Sequence, residues 1–541
     1  MNFDYVIVGG GSAGCVLAAR LSEDPSLRVC LLEAGPPDDH ILIRVPAGFA
    51  AMSQNARQNW RFETVPQPGL NGRRGYQPRG KVLGGSSSIN AMVYIRGDRS
   101  DYDGWAAAGN PGWDYASMLP YFRRAENNAR GASEYHGVGG PLNVDELRSP
   151  NPFGPRFVQA ALERGYRAND DFNGAELEGF GPYQVTQREG ERNNAARAYL
   201  TDAIERPNLS VITGARATRI HFDGRRASRV EFLQHDAHHD KAPSRQQTAL
   251  AAREVIVCAG ALQSPQLLMA SGVGPGAHLK DLGIDVVHDL PGVGANLHDH
   301  PDVIQVYDSP GNTDLVGRTL PGAWRVLRAI FEWRRSRTGL LTTNFAEAGG
   351  FIRSRETEPA PDLQFHFVIA KLADHGRAKL PGHGFSCHVC LLRPRSRGSV
   401  RLASPDPLQV PLIDPNFLGD PDDLARLVIG FKAMREIMHA PALAPWRGAE
   451  LDSADARTDA QIEAFIRAHA DTIYHPVGSC RMGPGPDDVV DATLRVHGLE
   501  ALRVVDASVM PAIVSGNTNA PVIAIAEKAA DLILGRDPPA S

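Results

Sequence analysis

The chain opens on a short apolar run interrupted only by Asp4, Phe3-Asp4-Tyr5-Val6-Ile7-Val8, closed by glycines, which predicts a buried strand. Gly9-Gly10-Gly11-Ser12-Ala13-Gly14 follows, and Val16, Leu17 and Leu21 then recur at helical spacing. A second apolar run, Val29 to Leu32, ends on Glu33. Strand, glycine turn, helix and strand in this order form a βαβ unit. Runs at Val255–Cys258 and Leu502–Asp506 read as further strands of the same sheet, so that sheet draws on distant parts of the chain. Between about 310 and 465, strand-like runs (Asp362 to Ile369, Phe385 to Leu392) alternate with a helical one (Leu424 to Met438) and predict a second domain. No fixed-period repeat is present. The polar patch His235 to Gln247 reads as a surface hairpin loop whose His235, His238 and His239 are solvated rather than metal-binding.

Composition bounds the function without naming it. A length of 541 residues exceeds one ordinary core, and 42% hydrophobic with 22% charged residues is globular, which excludes a collagen, a coiled coil or a disordered tail. Lysine and arginine number 57 against 62 acids, a net charge of −5, so no global field favours nucleic acid and any membrane contact must be local. The longest uncharged tract, Ala507 to Ala526, is interrupted by Pro511, Ser515 to Asn519 and Pro521, so no bilayer span is expected. An acid, Asp4, stands where a secretory leader carries basic residues, and the expectation is a cytoplasmic protein. Six scattered cysteines suit reduced structural thiols. Cys387 and Cys390 have C-x-x-C spacing but lie in a probable strand without a second pair, so no metal site is expected.

Candidate chemistry begins at the glycine turn. Gly9, Gly11 and Gly14 match G-x-G-x-x-G: the first allows the tight turn, the second lets backbone approach a pyrophosphate, and the third lets helix pack on strand. The following helix start then faces the anion. Glu33 ends the next strand about 20 residues on, where its carboxylate can accept hydrogen bonds from ribose hydroxyls. This unit predicts a bound dinucleotide and leaves NAD and FAD both open. Residues 84–90 form a loop of small residues whose amides and hydroxyls can meet the heteroatoms of a planar ring; the simpler alternative is an ordinary glycine-serine connection.

Three further segments carry a resemblance. These are Gly80-Lys-Val-Leu-Gly-Gly-Ser-Ser-Ser-Ile-Asn-Ala-Met-Val-Tyr94, Gly260-Ala-Leu-Gln-Ser-Pro-Gln-Leu-Leu-Met-Ala-Ser-Gly-Val-Gly274, and the return from Tyr474-His-Pro-Val-Gly478 to Gly516-Asn-Thr-Asn-Ala-Pro521. With the N-terminal unit they resemble the glucose-methanol-choline (GMC) flavoprotein oxidoreductases, most closely the acceptor-dependent alcohol dehydrogenases of bacterial alkane degradation and then choline dehydrogenase. The resemblance implies an α/β fold. A Rossmann-like FAD-binding domain would be assembled from residues 1–155, 208–309 and 470–541, beside an α+β substrate-binding domain with an antiparallel sheet from 156–207 and 310–469.

It implies FAD contacts at Gly9, Gly11, Ser12, Ala13, Gly14, Glu33, Ala34, Val82, Gly85, Asn90, Val93, Ala217, Asp506, Ala507 and Thr518. Members with covalently attached flavin carry a histidine just before the residue matching Asn90; here that residue is Ile89, so the FAD is expected to be non-covalent.

By the same resemblance His475 is the general base that takes the hydroxyl proton of a primary alcohol while the α-hydride passes to flavin N5, giving an aldehyde. The sequence adds that His475 sits in a Pro/Gly-rich loop and that this chemistry needs a base with a pKa near neutrality. Asn517 would hold the alcohol oxygen, while Asn519 would cap the helix from about Pro521 to Leu534, whose positive end could also stabilise a reduced flavin. His366 is a candidate pocket residue whose strand leaves either face open, and His298 and His300 read as organising a loop.

Electrons would pass to a quinone or another acceptor. An oxidase using O₂ (aryl-alcohol or furfuryl-alcohol type), a choline dehydrogenase and a non-catalytic flavin-binding protein are the alternatives. An NAD-dependent dehydrogenase does not account for the segment 80–103. Residues 324–335 place Trp324, Val326, Leu327, Ile330, Phe331 and Trp333 on one helical half, with Arg325, Arg328, Glu332 and Arg335 on the other. The simpler reading packs this helix on the second domain; the other lays it peripherally on the membrane, where a quinone is met.

Overall fold

The computed structural model of the protein describes residues 1–149, 151–235 and 244–539; His238 and His239 lie outside them. The opening strand Asn2–Val8 lies inside a seven-stranded sheet, parallel to Val29–Leu32 on one side and to Arg245–Val257 on the other. Leu209–Ile212 extends the sheet beyond Val29–Leu32. These strands are covered on both faces, so Val6, Ile7, Val29, Cys30 and Leu31 are all fully buried, which is why the sequence shows unbroken apolar runs.

The long strand Arg245–Val257 serves two further neighbours. Its first residues pair antiparallel with Arg226–Gln234, which continues into Ala215–Asp223, while Val255–Val257 run parallel to Leu502–Val504. The helices Ser12–Leu21 and Asn519–Leu534 meet beside the sheet, tied by a bond from Ser12 Oγ to Asn519 Oδ1 (2.7 Å) and by the Arg20–Glu527 pair.

A second, eight-stranded sheet is antiparallel throughout, in the order Glu450–Leu451, Pro301–Asp308, Gly382–Leu391, Leu363–Val368, Ala346–Ile352, Gly179–Pro182. Two short strands, Gly317–Arg318 and Asp471–Thr472, pair at its margins. Helix Pro421–Met438 covers it, and the core between holds Phe157, Phe365, Phe367 and Phe385. The architecture is the mixed α/β fold the resemblance implied.

Three segments lie elsewhere than the expected boundaries put them. Pro301–Asp308, assigned to the cofactor side of residue 309, pairs from Asp302–Cys390 to Asp308–Gly384 and belongs to the antiparallel sheet, because its backbone groups find partners there. Helix Phe153–Leu162, which straddles the boundary at 155, buries Phe153 and Phe157 in the second core. Helix Ala195–Tyr199, placed with the substrate side, packs Ala195, Ala196 and Tyr199 into the first.

Candidate active site

One cavity of about 850 Å³ runs from the glycine turn to the antiparallel sheet. Val8, Leu32 and Cys258, at the carboxyl ends of three parallel strands, line it, and this is where open α/β sheets bind ligands. The three glycines meet different surroundings. Gly9 has φ +106°, and a Cβ there would lie 2.4 Å from the Cys258 carbonyl oxygen. A Cβ on Gly14 would lie 1.9 Å from the Gly9 oxygen, so helix and strand can touch only through glycine. A Cβ on Gly11 would meet nothing nearer than 4.0 Å, leaving open space on the cavity side.

The helix after Gly11 has no side-chain cap and no acid in its first turn, so its leading amides are free to meet an anion. Glu33 Oε2 accepts from Gly10 N–H (2.8 Å) and Oε1 from Gly35 N–H (2.7 Å), which leaves each oxygen a lone pair for ribose hydroxyls. Burial pushes this carboxyl up to about 7.

Of the residues singled out for the cofactor, Gly9, Gly11, Ser12, Ala13, Glu33, Ala34, Gly85, Asn90, Val93, Ala217, Asp506, Ala507 and Thr518 line this cavity. Gly14 does not line it, being packed against Gly9. Val82 is a correction: its side chain is fully buried with Ile43, Met52 and Ile89 and offers no surface to a ligand. Asp506 is largely committed to its own turn. Its Oδ2 accepts from Gly260 N–H (2.9 Å) and Ser264 Oγ (2.5 Å), and its Oδ1 from Ser508 N–H (2.8 Å). Asn519 does not cap its helix; it is the first helical residue, Thr518 precedes it with no side-chain cap, and its Oδ1 accepts from Ser12 instead.

The far end of the cavity gathers His475, Asn517, His366 and His388. His475 Nε2 lies 3.2 Å from Asn517 Nδ2, and its Nδ1 lies 3.0 Å from His300 Nδ1. Burial, followed by the neighbouring His300, His366 and Arg79, holds the His475 pKa well below the ordinary imidazole value. The sequence reading expected a pKa near neutrality at His475; the fold desolvates this imidazole and favours its neutral form. His366 points into the cavity, is lowered to about 3 chiefly by burial, and leaves its buried Nδ1 without a partner. His388 stands opposite it on the next strand, its Nδ1 2.7 Å from Asp302 Oδ2 and its Nε2 unpartnered.

Some of the wall of this space is strained backbone. Met92 (φ 60°), Phe345 (φ 62°) and Tyr474 (φ 79°) adopt the left-handed region, cost about 1–3 kcal/mol each, and all line the cavity. Tyr474 is held by its own N–H to Thr472 Oγ1 (2.6 Å), by Arg79 Nη2 on its carbonyl (2.7 Å) and by His375 on its hydroxyl (2.7 Å). The buried Asp299 accepts from His475 N–H at 2.8 Å and from the Thr472 hydroxyl, so one carboxylate sets the course of the loop that carries His475.

The profile described as GMC oxidoreductase matches residues 3–302 in its N-terminal part and 394–526 in its C-terminal part. The chain belongs to the GMC oxidoreductase family. Among this enzyme's relatives, the alcohol dehydrogenase [acceptor] of Pseudomonas putida is 49% identical over 98% of this chain and 96% of its own length. The oxygen-dependent choline dehydrogenase of Burkholderia vietnamiensis is 47% identical, covering 99% and 94%. In three dimensions pyridoxine 4-oxidase from Mesorbium loti superposes with a TM-score of 0.87 at 34% identity, covering 99% of this chain and 100% of that one. Formate oxidase from Aspergillus oryzae RIB40 gives 0.90 at 27% identity, covering 99% and 98%.

Membership in the GMC family, with structural neighbours that contain FAD, implies FAD for this enzyme, and the open face at Gly11, the uncapped helix start and the free lone pairs of Glu33 fit it. His298, with Nδ1 on the Asn296 carbonyl (2.6 Å) and Nε2 accepting from Ile513 N–H (2.9 Å), organises a loop as expected of it. His300 was read the same way, yet it touches His475. Sequence reasoning missed His388 altogether; alternation along Leu363–Val368 and Gly382–Leu391 puts His366 and His388 in register only once the pairing is known.

Proposed function

We propose that the enzyme oxidises a primary alcohol to an aldehyde with non-covalently bound FAD and passes the electrons to a quinone or another acceptor. The observation that carries this reading is the approach of His475 Nε2 and Asn517 Nδ2 to 3.2 Å in the same cavity as the dinucleotide cradle. Bound FAD supplies the two-electron oxidant that takes the hydride from the alcohol carbon. His475 accepts the hydroxyl proton, and the Asn517 amide orients the oxygen and stabilises its growing negative charge. Ile89, at the position where covalently flavinylated relatives carry histidine, offers no nucleophile.

The name of the Pseudomonas putida relative, alcohol dehydrogenase [acceptor], supports an alcohol substrate and a separate electron acceptor. Among the described residues, the only carboxylates lining the cavity are Glu33 and Asp506, both at the dinucleotide end. The substrate end, walled by Phe345, Val368, Ala370 and Leu380, therefore holds no counter-charge for a quaternary ammonium and suits an apolar, neutral alcohol better than choline. The test is anaerobic: a short or medium-chain primary alcohol bleaches the flavin, and a quinone analogue restores it faster than air does. No bleaching by any alcohol in a broad panel would overturn the reading, and stoichiometric peroxide in air would favour an oxidase.

The helix Leu320–Ser336 bears on the acceptor. It is seated through Gly322, Ala329 and Trp333, while Leu320 (83% exposed), Trp324 (67%), Leu327 and Phe331 (66%) form an open stripe beside Arg325, Arg328 and Arg335. Among the described residues no helix is long and apolar enough to cross a membrane. The reading adopted is that this basic, apolar face lies on an anionic membrane surface, where a quinone is in reach, and Val326 of the same helix lines the cavity.

A further inference from the structure

We propose that His300 and Gln364 are positioning residues. From opposite sides they fix the tautomer of His475 and the amide orientation of Asn517, so that Nε2 of His475 carries the lone pair and Nδ2 of Asn517 presents the donor. This rests on the reading of His475 as the base, and each side of it follows from a backbone carbonyl, which can only accept.

On one side, His300 Nε2 lies 3.0 Å from the Leu392 carbonyl oxygen and therefore carries hydrogen. Burial lowers the ring to about 3, so it is neutral and its Nδ1 is bare. That bare Nδ1 faces His475 Nδ1 at 3.0 Å. Two nitrogens at this distance need one hydrogen between them, so His475 Nδ1 supplies it. His475, being neutral as well, is left with its lone pair on Nε2. The groups around this pair are the Val514 carbonyl beside His300, and His366, Arg79 and the Asp299 carboxylate beside His475.

On the other side, the Tyr183 hydroxyl donates to the Phe365 carbonyl at 2.6 Å, so its oxygen accepts from Gln364 Nε2 at 3.3 Å. With its nitrogen so placed, Gln364 also donates to Asn517 Oδ1 at 3.3 Å, while its own oxygen faces the Cys390 thiol. Asn517 must then turn Nδ2 toward His475 Nε2. The two chains start from Leu392, just past the end of the strand Gly382–Leu391, and from Phe365 in the strand paired with it, and reach the same polarity independently. An alcohol oxygen arriving there finds an acceptor for its proton and a donor for its lone pair. The opposite polarity would exchange the two roles: His475 Nε2 would carry hydrogen and the alcohol proton would meet only an amide oxygen, which is too weak a base to take it, and placing a histidine in the wrong tautomer can remove most of a base's contribution.

The test uses the FAD-loaded enzyme with ¹⁵N-labelled histidine, the His475 signals being assigned by their loss in His475→Gln. The wild type is expected to show a bare Nε2 and a protonated Nδ1 at His475. His300→Phe, which keeps the ring but removes the acceptor, is expected to mix the tautomers and lower kcat by about 10²-fold with KM changed little. His300→Asn, whose amide oxygen takes the place of Nδ1, should restore both.

A wild-type spectrum with hydrogen on Nε2 overturns the proposal without recourse to any variant. So does His300→Phe with unchanged tautomer and rate, provided His475→Gln has lost turnover. Turnover retained in His475→Gln instead removes the base assignment, and the wild-type tautomer still decides the proposal.

Discussion

At the dinucleotide end of the cavity the recognising groups are backbone: three glycines within one turn, the uncapped amides of one helix, and a carboxylate pinned by two N–H groups. At the other end they are side chains, carried by the loop at His475, the turn before Asn519 and two neighbouring strands of the antiparallel sheet, with His300 behind His475. A ligand that is always the same can be held by groups that every residue possesses, arranged by local geometry. A reaction needs particular atoms with particular protonation, and those come together only where separate segments converge.

The difference is broken most sharply by His475→Ala. Turnover should fall by about 10²–10⁴-fold while the flavin spectrum survives, because the residue lies outside the cradle. Loss of flavin with loss of activity would show that the two ends are not separable. Next in size is a pair at the cradle. Gly14→Ala sets a methyl 1.9 Å from the Gly9 oxygen and is expected to cost on the order of 3 kcal/mol or more, seen as a large fall in melting temperature. Gly11→Ala meets open space, so the apo-protein should melt within about 0.5 kcal/mol of wild type while flavin occupancy drops. Equal melting of the two variants would contradict this division of labour.

A smaller effect lies in pH. In the role proposed for it His475 must be neutral to accept a proton, and burial depresses it below its ordinary value, so kcat/KM should stay flat through neutrality and fall only as pH drops well below about 6.5. An acid limb at or above that value would mean the imidazole is not desolvated as the structure has it. The same depression means the unfolded chain binds protons at His298, His300, His366 and His475 that the folded one refuses. Their contribution to stability is present above about 6.5 and declines as pH falls below it. The raised carboxyls Glu33 and Glu347, both at about 7, act in the opposite sense.

The smallest expected effect on turnover belongs to Trp324→Glu. With a soluble acceptor its kcat should match wild type, whereas flotation with anionic liposomes should retain wild type and release the variant. If neither floats, the exposed stripe has no membrane role.

How much was readable follows the same division. The βαβ unit was legible because Val6 to Val8, the glycines and Glu33 are neighbours in sequence, and the strand boundaries fell within a few residues of those observed. The chemistry proposed for His475 and Asn517 was reached through resemblance rather than from the residues alone. His300 was read as a loop organiser because its sequence neighbourhood says nothing of a side chain 175 positions away. His388 carried no local signal at all. The cofactor set erred at Val82, an apolar residue whose sequence setting cannot tell a cavity wall from a core.

By itself, then, the sequence determined which local turns and strands form, since apolar periodicity and glycine's freedom act between neighbours along the chain. Only the tertiary structure decided which imidazoles share a cavity, which of them are stripped of water, and which nitrogen of each carries hydrogen. Those properties depend on burial and on the direction of carbonyls such as those of Leu392 and Phe365, and both are fixed only when distant segments pack.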